Sequence, residues 1–169
     1  MDSHEDGVGQ PQDQGRADFL KTLGLAGLGI LGAGAMVSHP AAAEEGKKPR
    51  YVYVVTHGAD DPNRAIWSLL VADVTLKKEM GSVHVWFTLE GADLCRKGHA
   101  EKVTSPIFLK WGNALEIMES IRKAGGTFGI CPPCAEYFGA KDDDKLGWVE
   151  LQGGDWVAKN IVGATVVWM

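Results

Sequence analysis

Tyr51 to Thr56 (YVYVVT) is an unbroken β-branched and aromatic run with no room for a helical period, the pattern of a strand buried on both faces. Turn chemistry follows in His57-Gly58-Ala59-Asp60-Asp61-Pro62, where proline suits the start of a helix. From Asn63 to Met80, Ile66, Leu69, Leu70 and Val74 fall at helical spacing. Lys77-Lys78 and Gly81 then read as a stop. Ser82 to Thr88 is a second strand, and Glu90 to Lys102 a polar connection with a helical turn near Asp93–Lys97. Asn113 and Glu116 form a capping pair for a helix whose apolar face is Ala114, Ile117, Met118, Ile121 and Ala124, closed by Gly125-Gly126. Thr127 to Cys131 is a third strand, Ala135 to Gly139 a short helix and Trp148 to Leu151 a short strand. Asp155 to Val162 reads as a helix and Thr165 to Met169 as a terminal strand. This alternation predicts an α/β fold: a mostly parallel sheet between two helical layers, joined by right-handed crossovers.

The segment ahead of this domain has a different pattern. Residues 1–18 are polar. Thr22 to Val37 is uncharged but too short to span a bilayer, and it is diluted by glycines at 24, 27, 29, 32 and 34. Ala41-Ala42-Ala43 follows as a small-residue A-x-A site, so residues 1–43 read as a cleaved export signal, 44–50 as a linker and 51–169 as the domain. Arg16-Ala17-Asp18-Phe19-Leu20-Lys21 resembles the twin-arginine consensus R-R-x-F-L-K. Ala17 stands where the second arginine belongs, which leaves the general secretory route open. The expected location is periplasmic or otherwise exported, with no membrane span in the mature form.

The 169-residue chain carries a formal net charge of −5, which argues against a nucleic-acid partner. Removing residues 1–43 takes two of the 17 basic and five of the 22 acidic side chains and leaves a net charge of −2. The six tryptophans are scattered, and core and subunit-interface packing is their expected use. No glycine-rich phosphate loop follows the first strand, and no cofactor is implied.

Cys131-Pro132-Pro133-Cys134 is the constellation that stands out. A cysteine ending a strand and another at the first turn of a helix both feel the helix N-terminal dipole, which favours the nucleophilic thiolate. Such a pair serves as a redox disulfide, half of a zinc site, a nucleophile with a neighbour, or a structural staple. Zinc requires four ligands. Cys95 with His57 or His99 would have to complete the set, so no metal site is assigned. Cys95 itself reads as a buried small hydrophobe. In an open α/β sheet the working edge is the set of loops after the strands, which here hold His57, Glu90 and the cysteine turn.

Three segments together resemble the DsrE/DsrF/YchN family of small sulfur-relay proteins. They are the first strand with THGADDPNRAIWSLLVADVTLKKEMG, the second with VHVWFTLEGADLCRKG, and the strand-to-helix turn GGTFGICPPCAEYFGA. The resemblance implies a three-layer α/β/α fold, assembly into trimers or hexamers, and sulfur donor and acceptor partners. It also implies a persulfide on Cys131, by its position relative to Gly139. In the expected mechanism Cys134 resolves or assists, and His57 and Glu90, at the same sheet end, are placed to orient a donor. A non-enzymatic oligomeric binding module stapled by a Cys131–Cys134 disulfide, and a thiol-disulfide oxidoreductase, are the competing readings.

Overall fold

The computed structural model describes residues 48–169. The expected export signal and most of the linker lie outside the described residues. Five strands form one sheet in the order β4-β3-β2-β1-β5 (β1 Arg50–Val55, β2 Ser82–Phe87, β3 Thr127–Ile130, β4 Glu150–Leu151, β5 Thr165–Trp168). Every pairing is parallel. The helices are α1 (Pro62–Lys77), α2 (Ala114–Lys123), α3 (Pro132–Phe138) and α4 (Gly154–Ile161).

The strand order explains the layers. From β1 to β4 the chain steps one way across the sheet, so right-handed crossovers put α1, α2 and α3 on one face. The β4–β5 connection runs back across the sheet, which places α4 on the other. Register divides the strand side chains accordingly. Tyr53, Val55, Val85, Phe87, Phe128 and Ile130 join the core under α1 and α2, while Val52, Val54, His84 and Trp86 face α4. The two faces are unequally covered. The α1–α2 side holds the hydrophobic core, whereas no residue of α4 is fully buried.

Helix boundaries follow local chemistry. Asp61 caps α1 by accepting from the Arg64 N–H, and Pro62 opens the helix as expected. Asn113 and Glu116 close a reciprocal capping box on α2. The end of α1 differs from expectation: Lys78 is its C-cap, and Glu79 takes the left-handed conformation (φ 53°). Gly81 serves close packing instead, since a Cβ there would lie 2.1 Å from the Pro49 carbonyl oxygen. Val74 points outward, and its place on the buried face is taken by Ala65, Ser68, Ala72 and Thr75. Small residues let the helix approach the sheet closely. Of the tryptophans, Trp148 packs against the core as expected, and none is fully buried. Trp67, Trp111 and Trp168 are exposed, and Trp86, Trp148 and Trp156 only half-buried.

Candidate functional site

The site is built where β2 and β3 end side by side. Pairing of Phe87 with Ile130 aligns the two strand ends, and the Cys131 N–H donates to the Phe87 carbonyl at 2.9 Å, carrying the ladder one residue further. The next residues on the two strands therefore meet at this junction: Thr88 on one side, Cys131 on the other. Helix α3 starts at once, with Cys131 as its N-cap and Pro132 and Pro133 in its first turn. The expected start at Ala135 was three residues late, because the proline pair begins this helix rather than preceding it. Cys134 thus sits inside the first helical turn.

The donors around Cys134 Sγ come from another element. Neither proline has an N–H. The chain after β2 instead folds into a 3-10 turn, Leu89–Cys95, whose first residue takes a left-handed conformation (φ 52°). That geometry aims the Leu89 N–H at Cys134 Sγ, 3.3 Å away, and Thr88 Oγ1 lies 3.6 Å from the same sulfur. A non-glycine residue at positive φ stores strain that neighbouring contacts must hold, and such residues concentrate at functional sites. Gly91 anchors the turn. Its N–H donates to Thr56 O at 3.1 Å, and a Cβ there would come within 2.3 Å of Val55 O.

These contacts make the two thiols unequal. Burial works to raise the Cys134 thiol, but hydrogen bonds from Thr88, the Cys131 thiol and the Leu89 N–H outweigh it and hold the group below its usual value. Burial pushes the Cys131 thiol up, and sharing its proton with Cys134 acts the same way, together outweighing the lowering bonds from the Cys134 N–H and Thr88. All three cysteines are free thiols. Cys95 is fully buried, which pushes its thiol well above the ordinary range, so it packs as the small hydrophobe expected.

His57 lies in the loop after β1, bonded to neither sulfur. Its Nδ1 is 2.6 Å from Asp60 Oδ2, and Arg64 Nη1 lies 3.3 Å from Nε2, so both ring nitrogens are engaged. Although burial opposes it, the His57 bond keeps the Asp60 carboxyl below its usual value. His99 is likewise paired, with Asp93 at 2.9 Å. Among the described residues no three of His, Cys, Asp and Glu converge as a metal-ligating group. Thr88 and Leu89 are the site residues that sequence reasoning missed. Thr88 is found once β2 is paired with β3, but nothing in a leucine signals a left-handed backbone.

Two solved structures share this architecture. The ychN protein from E. coli superposes with a TM-score of 0.59 at 12% identity, over 72% of this chain and 99% of that one. This chain has a ychN-like fold. A protein of unknown function from Methanobacterium thermoautotrophicum, MTH1491, matches with a TM-score of 0.54 at 17% identity, over 72% and 99% of the two chains. No protein-family model and no curated protein matches the sequence. The ychN-like fold accounts for the parallel sheet and its helical layers, as expected from the three sequence segments.

Proposed function

We propose that this is a sulfur-relay protein in which the Cys131–Cys134 pair takes up sulfane sulfur as a persulfide and passes it to an acceptor thiol. The observation that carries this reading is the hydrogen-bonded seat of Cys134 Sγ between Thr88 and the Leu89 N–H, one turn from a second free thiol. A structural staple has no use for donors aimed at one of its sulfurs. The ychN-like fold supports the same reading.

In the order implied by the family resemblance, Cys131 carries the persulfide. Its sulfur attacks the outer sulfur of the donor, and the Cys134 thiolate is placed to receive the Cys131 proton. Transfer to an acceptor thiolate then forms a new S–S bond on the acceptor and returns Cys131 as thiolate. Alternatively, Cys134 attacks Cys131 Sγ, expels hydrosulfide and leaves a disulfide that a dithiol reductant must reopen. The lowered Cys134 thiol favours a second order, in which Cys134 attacks the donor first and Cys131 resolves. His57, with Asp60 and Arg64, sits at the same sheet edge and would orient the donor. Export through residues 1–43 and assembly into trimers or hexamers complete the proposal.

The test is mass spectrometry after incubation with polysulfide. The wild-type chain should gain the mass of one or more sulfur atoms, and reductant should remove it. Loss of loading in Cys131→Ser with retention in Cys134→Ser supports the first order, and the converse supports the second. Undiminished loading in the double variant defeats the proposal.

A further inference from the structure

The cysteine pair is approached from two unlike sides. Cys134 faces the polar seat made by Thr88 and Leu89. Cys131 also forms part of the wall of a cleft of about 440 Å³ between the start of α3 and α4, with Trp86, Pro132, Pro133, Val157 and Ile161 and the Gly153–Gly154 start of α4. That volume lies within the range of sites for small organic molecules. No residue lining the cleft carries a charged side chain. The one indole donor, Trp86 Nε1–H, is already spent on the Gln152 carbonyl at 3.1 Å.

A charged substituent entering here would lose hydration against a wall that has no charged side chain to pair with it. A hydrocarbon substituent would gain by leaving water against proline rings, indole and aliphatic side chains. We infer that the donor used by Cys131 is a small organosulfur compound with an apolar carbon substituent, an alkyl or aryl persulfide, in preference to one whose substituent is charged. This rests on the sulfur-relay reading and adds the substrate class to it.

The step balances without an external oxidant or reductant. For a donor R–S–SH, Cys131 sulfur bonds the outer sulfur and the donor S–S bond breaks. Its electron pair leaves on R–S, which takes up the proton released from Cys131 and departs as R–SH. The product is Cys131–S–SH, the sulfane sulfur having moved from one thiol to another.

Alkyl 2-pyridyl disulfides supply a stable probe with one shared chromogenic leaving group. In the Cys134→Ser chain, rates at Cys131 with butyl and carboxyethyl substituents are each divided by the rate of free cysteine with the same reagent. The butyl compound should be favoured roughly tenfold, a typical gain for burying a few methylenes in an apolar pocket. Val157→Asp and Ile161→Asp, made separately, should each bring the ratio close to one. A ratio near one in the starting chain, or a ratio that neither aspartate alters, overturns the inference. Incubation of the wild-type chain with butyl persulfide separates the two levels. A high ratio with no sulfur gained removes the relay reading and the donor with it. A ratio near one with sulfur gained removes the apolar donor alone.

Discussion

Thr88 shows how much a single hydroxyl can decide. It is buried, sits one residue beyond β2 and contacts the sulfur of Cys134. Replacing it by valine keeps the shape and removes the bond. In Thr88→Val the Cys134 thiol should therefore titrate at higher pH. Alkylation of Cys134 by iodoacetamide, followed against pH, should shift toward the ordinary thiol range, and the neutral-pH rate should fall several-fold. An unchanged pH profile would mean that the hydroxyl does not hold the thiolate. Cys95 makes the contrasting case. Fully buried, it should stay silent to a thiol reagent in the native chain while Cys131 and Cys134 react, and become the third reactive thiol only on unfolding.

At the level of elements, the ends of the helices do different jobs. The capping box on α2 is solvent-facing and touches no part of the site, so Asn113→Ala should cost about 1 kcal/mol of stability and leave thiol reactivity unchanged. Denaturant unfolding and an iodoacetamide rate on the same sample check both halves. The box was legible in the sequence because both its bonds lie within four residues. The start of α3 was less so. A Pro-Pro pair between cysteines can stiffen a loop or open a helix, and contact with the sheet selects the second. The turn after β2 was least legible. Its position depends on Gly91 approaching β1 at a distance only a glycine allows, a contact between segments more than thirty residues apart.

Across the whole molecule, the thinly covered sheet face has a consequence for acid stability. His84 stands on β2 with its ring 4.1 Å from that of Trp156, and its Nδ1 pairs with Thr127 Oγ1 at 2.8 Å. Burial pushes its pKa down from 6.5 to about 4, with Gln152 and Glu150 opposing. The unfolded chain therefore binds a proton that the folded chain refuses. Stability is complete above 6.5, falls as the pH drops from 6.5 toward 4, and loses about 3 kcal/mol in total from this group. Denaturant midpoints across that window should show the loss, and His84→Gln should flatten it. An equally steep slope in the variant would assign the effect elsewhere. Asp60, whose carboxyl is held below 3.8, contributes in the same direction but at lower pH, so the two windows are separable.

The sequence by itself determined the elements, the parallel α/β class and the cysteine pair at a strand end. These depend on local periodicity, capping and turn residues, which act over a few positions. The tertiary structure alone decided which thiol is favoured as thiolate, which one opens on an apolar cleft, and that His57 is engaged by Asp60 and Arg64. The thiol asymmetry depends on β2 lying beside β3 and on a strained Leu89 brought to a sulfur 45 residues away. The cleft depends on α4 returning across the opposite face. Hydrogen bonds and burial at that range are properties of the packed chain, and no stretch of the sequence contains them.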